Sequence, residues 1–147
     1  MAEAARLGLK VEPVVYPDGT KTSADAAAAV GAPISAIAKS MAMMVDDDPV
    51  IVLMSGDRRV DASKLATAHG GSTGRRATLD EVRRHTGFAA GGTPPIAHPA
   101  PLVIYADVSL RRNERVWVAG GTPTTVFEIA LDELMRVTAA TWVDVAE

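Results

Sequence analysis

The sequence predicts a mixed α/β fold of α+β-like character, with a central mixed β-sheet or barrel flanked by short helices. Three observations predict it. Apolar runs of strand length alternate irregularly with short helix-like segments. Several of those runs follow one another too closely for a helical crossover. No repeat, low-complexity tract or long linker divides the 147 residues, a length that accommodates one substantial core, so residues 1–147 are expected to form one domain.

The elements follow in order. "LKVEPVVYP" reads as a strand that ends at the turn signal "PDG". "TSADAAAAVG" reads as a helix capped by Thr22 or Ser23 and stopped at Gly31. "PVIVLMSGD" is a continuous apolar run between turn residues, the pattern of a buried strand. "DASKLATAHG" and "TLDEVRRHTG" are short helices, each opened by Asp or Thr and closed by Gly, and "GGSTGRR" between them reads as a turn. "PLVIYAD", "ERVWVAGG" and "TTVFEIA" are strands, "LDELMRV" is a last helix, and "TWVDV" is a final strand.

Composition narrows the function classes. With 48% hydrophobic and 22% charged residues the chain is of globular type, and at 4% aromatic its core must be built from Ala, Val, Leu, Ile and Met. It has no cysteine, which removes disulfides, thiolate metal sites and cysteine nucleophiles. His69, His85 and His98 lack ligand spacing, so no metal site and no cofactor is expected, and surface or capping roles fit them better. No apolar run approaches membrane-spanning length, and "MAEAARLGLK" does not read as a signal peptide, so a soluble cytoplasmic protein is expected. The net charge of −3 argues against a general binder of nucleic-acid backbone. Yet positive charge collects in four pairs, Arg58-Arg59, Arg75-Arg76, Arg83-Arg84 and Arg111-Arg112. These are either solvated faces or a local phosphate-contacting patch on an acidic protein.

One stretch resists assignment by pattern. In "ISAIAKSMAMMV", a helix would align Ile34, Ile37, Met41 and Met44 and turn Lys39 to water. A strand would place Lys39 on one face with Ile37, Met41, Met43 and Val45. Only the strand sets an amine in an apolar wall. The loops "TGFAAGGTPPIAHP" and "VAGGTPTT" each join a permissive Gly-Gly to stiff prolines, a combination that can present peptide N–H groups to a ligand. No G-x-S-x-G elbow and no Gly-Lys-Ser/Thr phosphate loop occurs.

Taken in order, "ADAAAAVGAP", "IAKSMAMMVDDDPVIVLMSGDRRVDASKLA", "TGFAAGGTPPIAH" and "VWVAGGTPTTVFEIALDEL" resemble the YbaK/ProX family of aminoacyl-tRNA deacylases, relatives of the editing domain of bacterial prolyl-tRNA synthetases. The resemblance runs from about residue 22 to 145 and implies that family's editing-domain fold. It implies that "AIAKS" is a strand whose lysine, Lys39, lines the active-site pocket. Gly91 and Gly92 match the family's catalytic glycine loop, with His98 close behind, and Gly120, Gly121 and Thr122 match a second loop beside the substrate. "RVDASKLA" matches a recurring segment read as architectural, with Asp61 a helix cap and Lys64 exposed. The implied activity is hydrolysis of the ester of a mischarged tRNA by a separate protein, on a small amino acid carried by a proline or related tRNA. The partner is the tRNA acceptor end, and the resemblance leaves room for a synthetase as well. The second loop here, "GGTPTT", lacks the basic residues of cysteine-clearing members, which leaves alanine or another small residue as the expected cargo. The alternative is a non-catalytic module that binds a nucleotide or sequesters an aminoacyl-tRNA.

In "GGTPP" the prolines stiffen the backbone, and Gly91 and Gly92 alone are free to let a carbonyl approach it. Gly91→Ala or Gly92→Ala is expected to slow deacylation by ~10²-fold, the scale of one lost oxyanion donor. Stability should change by no more than ~1–2 kcal/mol. Single-turnover deacylation beside thermal melts checks both.

Overall fold

The computed structural model describes residues 14–15, 27, 28, 30–86, 103–119 and 125–147. Strands are β1 (Val14–Val15), β2 (Ala38–Val45), β3 (Asp48–Ser55), β4 (Gly74–Arg76), β5 (Val103–Asp107), β6 (Arg115–Ala119), β7 (Thr125–Ala130) and β8 (Thr141–Val143). Helices are α1 (Ala62–His69), α2 (Leu79–Thr86) and α3 (Leu131–Thr138), with 3₁₀ turns at Ile34–Ala36 and Val108–Arg112. Five strands form one sheet in the order β4-β2-β3-β5-β8, and three form another in the order β1-β7-β6. The larger sheet is mixed: β2 is antiparallel to β3 and β4, while β3–β5 and β5–β8 are parallel. This is the predicted mixed α+β architecture.

Strand β3 is the axis. Its run Val50, Ile51, Val52, Leu53 and Met54 is buried on both faces. Ile51 and Leu53 pack with Val116, Phe127, Ile129 and Leu134 between the sheets and α3. Val50, Val52 and Met54 pack with Leu65, Tyr105 and Val145 on the α1 side. Burying a side chain of this size is worth ~1.5–3 kcal/mol, more than any single cap or surface ion pair. A bridge between Ile37 and Trp117 joins the start of β2 to β6, and Ala27, Ile37 and Val126 close a smaller cluster there.

Local signals behave as read. Asp61 caps α1 by accepting from the N–H groups of Ser63 and Lys64, and Gly70 ends it at φ 79°, left-handed space that glycine enters freely. Eight residues are too few for a helix to stand alone, so burial of Leu65 and Ala66 must supply what the caps do not. Thr78 and Glu81 form a reciprocal capping box at α2 (2.8 and 3.2 Å). The helical residues 27, 28 and 30 end at Gly31, and a strand exists at Val14–Val15; the rest of both predicted elements lies outside the described residues.

One reading fails. "GGSTGRR" is not merely a turn, because Gly74, Arg75 and Arg76 pair with Val45, Met44 and Met43 as edge strand β4. Three residues without apolar alternation carry no strand signal of their own, and pairing to β2 imposes the conformation. Among the described residues, no helix is long and apolar enough to cross a membrane.

Gly74 lies so close to α1 that a Cβ there would sit 2.5 Å from the Ala62 carbonyl oxygen. That partner is backbone, which cannot swing aside. Gly74→Ala is expected to destabilise by about 1–3 kcal/mol, the usual range for overpacking, with a matching fall in the urea midpoint.

Candidate functional site

The ambiguous segment is a strand. After the 3₁₀ turn at Ile34–Ala36, Ile37 adopts extended geometry (φ −85°, ψ 121°), and β2 runs straight into an Asp46-Asp47 turn. Asp46 sits at φ 52°, and its carboxylate accepts from the N–H groups of Ser72 and Thr73 and from the Thr73 hydroxyl, which pins the turn. Lys39 therefore stands opposite Met54, in the row that continues through Met41–Val52 and Met43–Val50. Its side chain is half-buried at the open end of an otherwise apolar face.

Burial lowers the Lys39 pKa below its ordinary 10.5, and the charges of Arg59 and Arg76 lower it further, while Asp57 opposes them. Strand register explains Arg76: it pairs with Met43 and so projects to the same face as Lys39. Arg59 comes from the β3–α1 connection, held by a bond from the Glu147 N–H to the Arg59 carbonyl (2.9 Å) and by the Val60–Ala146 bridge. Three cations thus share one electrostatic neighbourhood on an acidic protein.

The paired arginines divide. Arg75 forks onto Glu81 (2.7 and 2.9 Å), which holds that carboxyl down at about 2. Arg112 forks onto Asp57 (2.7 and 3.0 Å), and Arg111 lies 4.6 Å over the Trp142 ring. The charges of Arg59 and Arg76 act on Lys39, and these two, like Arg58, Arg83 and Arg84, are exposed to solvent. Sequence reasoning missed this division. The division follows from the register of β4, which carries no strand signal in the sequence. Asp57 and Arg112 were missed as well, although "GDRR" shows an acid directly beside an arginine pair.

Gly91, Gly92, His98, Gly120, Gly121 and Thr122 lie outside the described residues, so Lys39 is the one expected site residue with a described position. The flanks of the second loop are described: Ala119 pairs with Val126, and Trp117 bridges to Ile37, two residues before Lys39. The hairpin that carries Gly120 and Gly121 therefore has its described base beside the start of β2. Asp61 caps α1 as expected, and exposed Lys64 reaches the Ala146 carbonyl (2.9 Å). His69 does more than end α1: its Nδ1 lies 2.6 Å from the Tyr105 hydroxyl and its Nε2 3.3 Å from Asp48. Among the described residues no three of His, Asp and Glu are grouped to hold a metal ion.

A partly desolvated amine within the field of two guanidinium groups, on a paired strand, suits an anionic or carbonyl oxygen. Relatives share both the sequence and the fold. Residues 17–137 match the model of the aminoacyl-tRNA editing domain. Uncharacterized protein YwhH of Bacillus subtilis (strain 168) is 30% identical over 134 residues, covering 90% of this chain and 85% of that one. The proline–tRNA ligase of Xanthomonas campestris pv. campestris (strain 8004) is 37% identical over 87 residues, 59% of this chain but 15% of the ligase. A crystal structure of a candidate trans-editing enzyme for prolyl tRNA synthetase superimposes with a TM-score of 0.93 at 38% identity, over 99% of this chain and 93% of that one. The crystal structure of hypothetical protein APE2540 does so at 0.90 and 29%, over 99% and 97%. Sequence and fold agree on an enzyme of the aminoacyl-tRNA deacylase class. The chain belongs to the aminoacyl-tRNA editing domain family.

A lysine whose folded pKa lies below 10.5 opposes folding at neutral pH. Below its folded pKa both states are protonated and the whole cost is felt. As pH rises toward 10.5 the folded state sheds the proton first, and the cost fades. Lys39→Met should therefore be more stable than the parent at pH 7, by a margin that narrows toward pH 10. Urea titrations at both pH values measure it.

Proposed function

We propose that this deacylase removes a small amino acid, alanine or one of similar size, from the 3′ adenosine of a proline or related tRNA, with Lys39 in the reacting pocket. What carries the reading is the Lys39 amine on the apolar face of β2, with Arg59 and Arg76 acting on it and no carboxylate ion-paired to it among the described residues. Those charges favour a terminal phosphate or a developing oxyanion without requiring a basic protein overall. Family membership and the likeness to the candidate prolyl trans-editing enzyme support the substrate class.

The demand for such an enzyme is physical. A hydrophobic pocket rejects a substrate lacking one methylene by only ~1–3 kcal/mol, so small-residue errors need a second site. An aminoacyl ester is activated, and its hydrolysis needs less machinery than that of an amide. In the proposed mechanism Lys39 holds the terminal phosphate or the ester carbonyl oxygen. Peptide N–H groups of the Gly91-Gly92 loop receive the oxyanion, at ~3 kcal/mol per donor. Gly120, Gly121 and Thr122 flank the bound end, with His98 behind the first loop. Water attacks, aided by the ribose hydroxyl of the tRNA, as the family resemblance implies.

A panel of mischarged tRNAs tests the proposal. Ester loss from alanyl-tRNA of the proline type is expected, and binding without ester loss from any member would establish a sequestering module instead. Lys39→Ala should abolish turnover while melting no lower than the parent, because it removes a desolvated charge. Arg59→Glu and Arg76→Glu should each weaken tRNA binding and flatten its salt dependence by about one counter-ion. Unchanged affinity in both would make those arginines solvent-facing only.

A further inference from the structure

Among the described residues Lys39 has no ion-paired carboxylate, although the charge of one acts on it. Asp57 follows β3 by two residues, and its charge acts on the Lys39 amine. The two do not pair, since other groups occupy the carboxylate. Oδ1 accepts from Arg112 Nη2 (2.7 Å) and lies 2.8 Å from the Ser55 hydroxyl, while Oδ2 accepts from Arg112 Nη1 (3.0 Å). Arg112 is braced in turn: its Nε donates to the Ser109 carbonyl (2.8 Å), and Nη2 also reaches Ser55 Oγ (2.8 Å). Ser55 is wholly buried, and its hydroxyl is 2.9 Å from the Ser35 carbonyl, which also accepts from the Asn113 amide (2.9 Å).

Register tells which way this assembly draws Asp57. Ser55 pairs with Ala38, and Met54 pairs with Lys39. Successive residues project to opposite faces, so Ser55 lies on the face that Lys39 does not occupy. A carboxylate bonded to the Ser55 hydroxyl is held toward that opposite face. We infer that Arg112 is a positioning residue: its fork keeps Asp57 on the Ser55 side of β3, so that the nearby carboxylate cannot close onto Lys39 and take the place of the substrate's oxygen. The inference rests on the proposed role of Lys39 for its effect on catalysis, but not for its effect on the amine itself. The charged groups acting on Lys39 are Arg59, Arg76 and Asp57, and those acting on Asp57 are Arg112 and Arg58. Asp107 adds to the field on Arg112.

The test uses Arg112→Met, Arg112→Lys, Asp57→Asn and the double variant Asp57→Asn/Arg112→Met in the full chain. Two readouts are taken: the Lys39 pKa by heteronuclear NMR of labelled lysine, and single-turnover deacylation against pH. In Arg112→Met the released carboxylate should raise the Lys39 pKa by about one unit or more, the scale of a nearby opposite charge. Deacylation should fall about 10-fold or more, and the double variant should recover both readouts because the released charge is gone. Arg112→Lys keeps the charge but loses the fork, and should fall between the parent and Arg112→Met. Asp57→Asn alone should stay within about threefold of the parent rate, the usual range for a group outside the chemistry.

A double variant as slow as Arg112→Met would overturn the inference, since a mere strut is not repaired by removing its partner. So would a Lys39 pKa that does not move in either Arg112 variant. Should Arg112→Met fail to fold, Arg112→Lys and Asp57→Asn still decide. Loss of activity in Asp57→Asn as deep as in Lys39→Ala would place Asp57 in the chemistry and likewise overturn it. If the Lys39 pKa rises and recovers as expected while no variant alters deacylation, the positioning holds and the catalytic role of Lys39 falls.

Discussion

The β2–β3 ladder is the constraint on which the rest depends. Its eight residue pairs, from Ala38–Ser55 to Val45–Asp48, decide which side chains meet α1 and which meet the second sheet. A slip of one residue would carry Lys39 to the face that packs toward β6 and β7 and put Ser40 in its place. Met41, Met43 and Val45 would leave the α1 side with it, so such a slip would also empty one wall of that core. The position of one amine is thus protected by the packing of a whole strand. The short hairpin turn secures the same register, because Asp46 is tied to Ser72 and Thr73 on the segment leading into β4.

Charge around Lys39 is arranged by subtraction. Glu81 engages Arg75 and Asp57 engages Arg112, which leaves Arg59 and Arg76 as the cations acting on Lys39. Surface pairs of this kind contribute little to stability, commonly under ~1 kcal/mol each. Their weight lies in which charges they leave uncompensated. A protein with net charge −3 can in this way present a cationic spot to a polyanion without becoming a general binder of nucleic acid.

Much of the fold was legible because local and global preferences agree. Asp61 and Gly70 bound α1 with signals that act within a few residues, and "VIVLM" announces a strand buried on both faces. The β2 segment was not legible from pattern, since Ala and Met suit a helix as well as a strand. Its state is decided by pairing with β3 and β4, and family resemblance supplied what periodicity could not. Edge strand β4 was missed for the same reason. Of the candidate site, the placing of Lys39 as a lone amine in an apolar row was legible. The split of the arginine pairs was not, because it follows from register and from partners up to 55 residues apart in the chain. The glycine loops lie outside the described residues.

Residues 145–147 clasp the segment that carries Arg59. Val145 accepts from the Asp61 N–H through its carbonyl and donates its own N–H to buried Asp107, and the Glu147 N–H reaches the Arg59 carbonyl. The strand before them, β8, lies parallel to β5 and therefore returns only after a long crossover. Contacts between positions so far apart in the chain form late and slowly, because the intervening loop must close first. During synthesis, β2 and β3 can pair long before residues 145–147 leave the ribosome. Arg59 receives its clasp only afterwards. A nascent chain would thus hold Lys39 on a formed hairpin while Arg59 is still unanchored, until residues 145–147 have emerged and docked.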